Sequence, residues 1–79
     1  MLTVFCDCSG NNKYLDKCIV KDFPFVPRIG ETILFGGRNT RKVIQVVYHV
    51  PQRNLKCPFE EVCKLYDVPV EPFIVIECI

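Results

Sequence analysis

The chain has 79 residues, a formal net charge of +1 and a hydrophobic fraction of 49%. From this length we expect one small β-rich domain over residues 1–79. No apolar run approaches the roughly 20 residues of a membrane-spanning helix, and Met1–Phe5 lack the basic start of a signal peptide, so we expect a cytoplasmic protein. A reducing cytoplasm favours free thiols for the six cysteines over the two alternatives, disulfides and a zinc site.

Alternating apolar residues and turn signals predict five strands and one short helix. A turn at Ser9–Asn12 separates the first two strands. A connector with two prolines, Phe23–Glu31, precedes the third strand, and a hairpin loop at Gly36–Thr40 precedes the fourth. The predicted strands, in chain order, are Leu2–Cys8, Tyr14–Phe23, Glu31–Phe35, Arg41–Val50 and Phe73–Ile79.

The last two strands carry the clearest signals for the core. In the fourth strand, Ile44, Val46, Tyr48 and Val50 alternate and predict an apolar face. Phe73–Ile79 is largely apolar on both faces, which indicates a strand that runs centrally or joins a partner chain.

A short helical insertion is predicted at about residues 58–66. Pro58 suits the first helical position, and the acidic residues after it suit the positive end of the helix dipole. Apolar residues at Phe59, Val62, Cys63 and Tyr66 follow the spacing of one helical face.

Five short antiparallel strands with one helical insertion predict a small barrel or a strongly bent sheet. Val26–Ile33, Arg41–His49 and Phe73–Glu77 resemble small bacterial and phage SH3-like β-barrel proteins, in which a P-R-x-G-E/D motif leads into a strand; here the motif spans residues 27–31. The resemblance covers about two thirds of the chain and implies a five-stranded antiparallel SH3-like barrel, but no activity. The insertion Pro51–Pro72 departs from the family's pattern, which usually has a tight hairpin there.

Catalytic and metal-binding patterns are weak in this sequence. His49 is the only histidine, and the hydroxyl residues stand in no recognisable nucleophile motif. Cys6 and Cys8 would lie about 7 Å apart along one strand face, a poor geometry for one zinc ion even with Cys57 and Cys63 as further ligands. We therefore predict a non-enzymatic protein without a metal or cofactor.

The middle of the chain is basic. Residues 28–56 hold six basic residues and one acidic residue, whereas residues 57–79 hold one basic and five acidic residues. Two glycines at the hairpin tip free backbone amides to form an anion-binding nest, and arginines beside them can bind a phosphate through two hydrogen bonds. The predicted ligand-binding residues are Arg28, Arg38, Asn39, Thr40, Arg41 and Lys42. The alternative is a solvated hairpin tip.

Two functions remain open. The first is a homo-oligomeric sponge that sequesters a small anionic, nucleotide-like signal; the resemblance to phage proteins suggests this role by analogy, in the host cytoplasm. The second is a protein-interaction or inhibitor module that acts by strand addition, with Phe73–Ile79 as the expected edge. The high apolar content favours self-association, and the low net charge argues against a nucleic-acid partner.

Overall fold

The computed structural model describes residues 1–8, 17–36, 39–51 and 59–79. These residues are mainly β and form a curled, half-barrel sheet of five strands with one helix. The elements are β1 (Leu2–Asp7), β2 (Lys17–Val20), β3 (Thr32–Phe35), β4 (Asn39–His49), α1 (Phe59–Tyr66) and β5 (Phe73–Cys78). No helix in the described part of the chain is long and apolar enough to cross a membrane.

The strand order is β2-β1-β5-β4-β3. β1 pairs with β5 in parallel, and the other three pairings are antiparallel. The prediction of a purely antiparallel sheet is therefore wrong. The sheet consists of two antiparallel units, β1–β2 and β3–β4–β5, which join at β1 and β5, their most apolar strands. A strand with two apolar faces buries both of them only when it has a neighbouring strand on each side.

The two faces of the sheet carry separate apolar clusters. On one face, Leu2, Val4 and Cys6 of β1 and Phe73 and Val75 of β5 pack with α1. The other face carries apolar residues from all five strands and the connector, and we call it the concave face because both outer strands contribute to its cluster. Its members are Phe5, Val43, Ile74, Ile76 and Cys78, with Val20, Phe23, Ile33, Phe35 and Val46 half-buried around them.

Helix α1 confirms the predicted helical insertion, beginning at Phe59 within the described residues. Phe59, Cys63 and Tyr66 are buried, as their shared face predicts. The helix ends where Asp67 adopts a φ of 56°. The Val68 N–H then donates to the Cys63 C=O at 3.0 Å, which is the long hydrogen bond of a Schellman cap.

A bulge in β4 changes the side that packs on the core. Val43 pairs with Cys78 and Gln45 with Glu77, so Ile44 is the extra residue. Val43 is buried to 1% exposure, whereas Tyr48 is 59% exposed although its partner Ile74 belongs to the same cluster as Val43. The predicted apolar face of Ile44, Val46, Tyr48 and Val50 is therefore wrong, because only Val46 is even half-buried.

The second strand ends three residues earlier than predicted, and its predicted start falls in residues 9–16, outside the described part. β2 ends at Val20, and Asp22 follows with a φ of 53°. This turn directs the Phe23 ring toward Phe5, with ring centroids 5.2 Å apart in an edge contact. The first residues of the connector therefore cover part of the concave face.

The P-R-x-G-E motif forms the turn that leads into β3. Gly30 has a φ of 94°, and the Glu31 N–H donates to the Arg28 C=O at 3.1 Å, as in a type II turn with glycine third. The Arg28 N–H donates to the Glu31 carboxylate. The Gly30 N–H donates to the Val43 C=O at 2.8 Å, and the Val43 N–H donates to the Glu31 C=O at 2.9 Å. Gly30 and Glu31 thus stand opposite one residue of β4 and form a glycine-type bulge.

We predict that Gly30→Ala lowers the free energy of unfolding by about 1–2 kcal/mol. No atom lies within 4 Å of the added Cβ, so the loss comes from the left-handed backbone, which disfavours an L side chain. Urea denaturation measures the change. Ile29→Ala is the matched control, because the Ile29 side chain is 69% exposed, and an equal loss in both variants would contradict this role of Gly30.

His49 makes stability depend on pH. Its ring stacks on Phe73 with centroids 4.7 Å apart, and burial lowers its pKa below the ordinary 6.5. The folded state therefore favours the neutral ring, and this contribution is complete above pH 6.5 and lost as the pH falls through the lower, folded-state pKa. We expect His49→Phe to flatten the fall in unfolding free energy between about pH 7 and 5; an unchanged slope would show that other groups cause it.

Candidate functional site

The predicted anion-binding residues are spread around the start of β4. Arg38 lies outside the described residues, and Asn39 pairs with Phe35 across the hairpin. Thr40 and Lys42 are exposed on β4, Arg41 is half-buried between them, and Arg28 is exposed in the turn before β3. Participation of these six residues in one ligand site stays a prediction.

Arg41 and Lys42 extend from opposite faces of the sheet. Arg41 pairs with Ile33 on the concave face, where its Nε donates to the Asp7 carboxylate at 3.1 Å. Its Nη1 donates to the Thr40 C=O at 2.8 Å. Lys42, as the next residue in the strand, lies on the outer face. The two cations therefore do not converge on one point.

The Asp7–Arg41 pair lies over a buried thiol. Cys78 pairs with Asp7 on one side and with Val43 on the other. Burial, followed by the nearby Cys8 and Asp7, raises the pKa of the Cys78 thiol to about 11, while Arg41 acts in the opposite direction. The thiol is therefore a protonated core group at neutral pH and a poor nucleophile.

Of the other described cysteines, Cys18 and Cys63 are free thiols. Cys6 is buried and Cys8 is half-buried, and Cys57 lies outside the described residues. Among the described residues, no group of three or more histidine, cysteine or acidic side chains is arranged to hold a metal ion.

The edge expected for strand addition is occupied. Phe73–Cys78 forms β5, which is hydrogen-bonded to β1 on one side and to β4 on the other. The interpretation of this segment as a central strand is confirmed, and strand addition at Phe73–Ile79 is wrong for this fold. The outer strands are β2 and β3, and all four residues of β3 are described.

The outer edge of β3 carries unpaired backbone groups. On β4, the Lys42 N–H and C=O both bond to Ile79, at 2.9 Å each, so they point away from β3. In an antiparallel pair, the opposite residue, Thr32, then also turns its N–H and C=O outward, and so does Leu34 two positions along. No described residue forms a backbone hydrogen bond with these outward groups.

An apolar groove runs beside this edge. Its volume is about 220 Å³, and its walls come from the connector on one side and β3 on the other. The described lining residues are Phe23, Phe25, Pro27, Glu31, Thr32, Ile33 and Leu34. Phe25 is 65% exposed and Leu34 is 63% exposed, so large apolar side chains remain in contact with water along this edge.

One anion, Glu31, and one cation, Lys42, lie near the groove. Glu31 is the only charged residue among the described lining residues, and its carboxylate already accepts the Arg28 N–H. Lys42 lies directly across from Thr32 on β4 and is exposed. An approaching segment therefore meets a backbone edge, an apolar groove and a lysine on the outer face.

Sequence reasoning missed this edge, although two signals pointed to it. The proline-rich connector leads into a strand of only four residues, and short strands are typical of sheet edges. Leu34 alternates with Ile33 and Phe35 and therefore belongs on the outer face, where it adds to the exposed apolar surface of this edge.

We predict a measurable coupling between Asp7 and Arg41. Both side chains are about one-quarter to one-third exposed, so solvent screening limits the pair to about 0.5–1 kcal/mol in a double-mutant cycle of Asp7→Asn and Arg41→Gln. Lys42→Gln replaces Arg41→Gln in the control cycle, where we expect no coupling because Lys42 faces the other side. Coupling of equal size in both cycles would contradict the assignment of faces.

Comparisons with protein-family models, with curated proteins and with solved structures found no match to this chain. The β3 edge and the basic residues on β4 are therefore the two candidate sites of this chain. These two sites differ in what they offer a ligand: the first offers backbone hydrogen bonds and apolar surface, the second positive charge.

Proposed function

We propose that this chain is a non-enzymatic protein-interaction module that binds an extended segment of a partner by strand addition to β3. The observation that carries the proposal is the pair of residues, Thr32 and Leu34, whose outward N–H and C=O groups have no backbone partner among the described residues. A strand laid along this edge gains up to four main-chain hydrogen bonds, which is the source of affinity in strand addition.

The groove supports a peptide over a whole small molecule. Its volume of about 220 Å³ is below the roughly 300–1,000 Å³ of pockets that enclose drug-sized ligands. It is large enough for one or two apolar side chains, and apolar surface removed from water there adds about 25 cal/mol per Å². Main-chain hydrogen bonds then supply affinity, and the groove supplies selectivity.

Sequestration of an anionic, nucleotide-like signal stays a prediction with less support. Arg41 already bonds to Asp7 and Thr40, which leaves Lys42 and Arg28 as the exposed cations among the described members of the predicted site. The SH3-like likeness, the phage origin and the homo-oligomer likewise stay predictions. A nucleotide that bound through Arg38 and Lys42 would do so regardless of the β3 edge, and this separates the two functions experimentally.

We expect Leu34→Pro to abolish peptide binding while the fold remains. Proline removes the outward N–H of Leu34, and this group makes no bond within the described sheet, so an edge position tolerates the change. The probes are peptides selected from a random 12-residue display library on the wild-type protein, with affinities measured by calorimetry. Leu34→Ala is the matched control, because it shortens the side chain but keeps the N–H.

A loss of at least about tenfold in affinity, roughly 1.4 kcal/mol, in Leu34→Pro but not in Leu34→Ala would support strand addition. Equal affinities in the two variants would contradict it, and so would a library without any specific binder. Binding of a nucleotide panel that is lost in Arg38→Ala and retained in Leu34→Pro would instead favour the anion-binding function. Circular dichroism establishes that each variant is folded.

A further inference from the structure

We infer that the segment bound by β3 alternates apolar side chains, which enter the groove, with acidic side chains, which face Lys42 on the outer surface. The inference rests on the proposed function and adds the chemistry of the partner. Three features of the edge carry it: the face on which Ile33 lies, the position of Lys42, and the second wall of the groove.

The inner face of the added strand is apolar. Residues directly opposite in neighbouring strands extend to the same side of the sheet. Ile33 faces the concave side, where it packs against the cluster that contains Phe5 and Val43. The partner residue opposite Ile33 therefore extends into the groove, beside Phe25 and Pro27. Burying a charge at this position without a partner is costly, so an apolar residue is required there.

The outer face of the added strand meets a cation. The partner residue opposite Thr32 lies on the same outer face as Lys42, because Thr32 and Lys42 are cross-strand partners. Two strand spacings of about 4.8 Å separate its backbone from that of Lys42. This distance is within the combined reach of a lysine and a glutamate side chain. Lys42 is exposed. The Glu31 carboxylate accepts the Arg28 backbone N–H, and Glu31 alternates with Thr32, so it lies on the side of Ile33 and not on that of Lys42.

The connector wall of the groove favours an isolated extended segment over the edge of a folded sheet. Phe23 and Phe25 are in ring contact at 4.9 Å, and together with Pro27 they face β3 across the groove. A folded second copy would bring its own connector alongside its own β3, so the two walls would meet before the two edges could pair. An isolated extended segment has no such wall. The fitting partner is therefore an unstructured stretch of another protein rather than the sheet of a second copy.

The test uses fluorescein-labelled peptides of about eight residues, close to the length of an ordinary strand. The first alternates glutamate and valine, the second alternates lysine and valine, and the third has the composition of the first in blocks of two, which cannot place valine on one face. Fluorescence anisotropy measures their affinities for the wild type, Lys42→Glu, Leu34→Pro and Leu34→Ala. Lys64→Glu, an exposed charge reversal on α1, is the matched control for net charge.

We expect the wild type to bind the glutamate–valine peptide at least about tenfold more tightly than the other two, a difference that added salt reduces. Lys42→Glu should reverse the preference between the glutamate and lysine peptides, and Lys64→Glu should leave it in place. Leu34→Pro should lose binding, and Leu34→Ala, which shortens a groove-lining side chain but keeps the N–H, should weaken it far less.

The outcomes separate the inference from the function beneath it. In one outcome, Leu34→Pro abolishes binding, but the affinity does not depend on the sign of the peptide charge or does not change in Lys42→Glu. That result overturns the inference of an acidic–apolar partner and leaves strand addition supported. Binding that survives Leu34→Pro overturns both. Sedimentation of the wild type without peptide tests whether a second copy of the chain occupies the β3 edge. A dimer that dissociates in Leu34→Pro would assign the edge to a second copy and overturn the inference.

Discussion

The central position of β5 is the constraint on which the rest of this fold depends. Its residues alternate between the two apolar clusters, with Phe73 and Val75 under α1 and Ile74, Ile76 and Cys78 on the concave side. Each large side chain buried in this way contributes about 1.5–3 kcal/mol. Because β5 needs a neighbour on each side, β1 and β4 take the adjacent places, and the outermost places fall to the two shortest strands, β2 and β3.

The edge strand β3 has an exposed backbone, but several features limit what can pair with it. β3 has four residues, and the bulge at Gly30 and Glu31 bends the chain just before it, both of which limit indiscriminate pairing with other sheets. The connector then stands beside the remaining edge and narrows access to it. The groove beside this edge has the backbone of β3 on one wall and the aromatic rings of the connector on the other, a shape that matches the extended ligand proposed above.

Local pattern predicted much of the fold and little of the site. The periodicity of residues 58–66 located α1, and the apolar faces of Phe73–Ile79 indicated a central strand. The parallel direction of β1 and β5 was out of reach, because a strand's own sequence does not encode the direction of a distant neighbour. One extra residue at Ile44 reversed the alternation in β4. The basic cluster was inferred from adjacency in sequence, whereas alternation along a strand separates Arg41 from Lys42, and the partner of Arg41 lies 34 positions away.

The parallel pairing also sets how this chain reaches its native state. The partners Leu2 and Phe73 are 71 positions apart, so the two halves of the sheet join only after a very long loop has closed. The entropy of that closure is lost before the contacts compensate it, and chains dominated by such distant contacts fold slowly. During that interval β1 and β5, the most apolar strands, each have an open side. The segments that stabilise the finished protein most are therefore those that most need protection while it is being made.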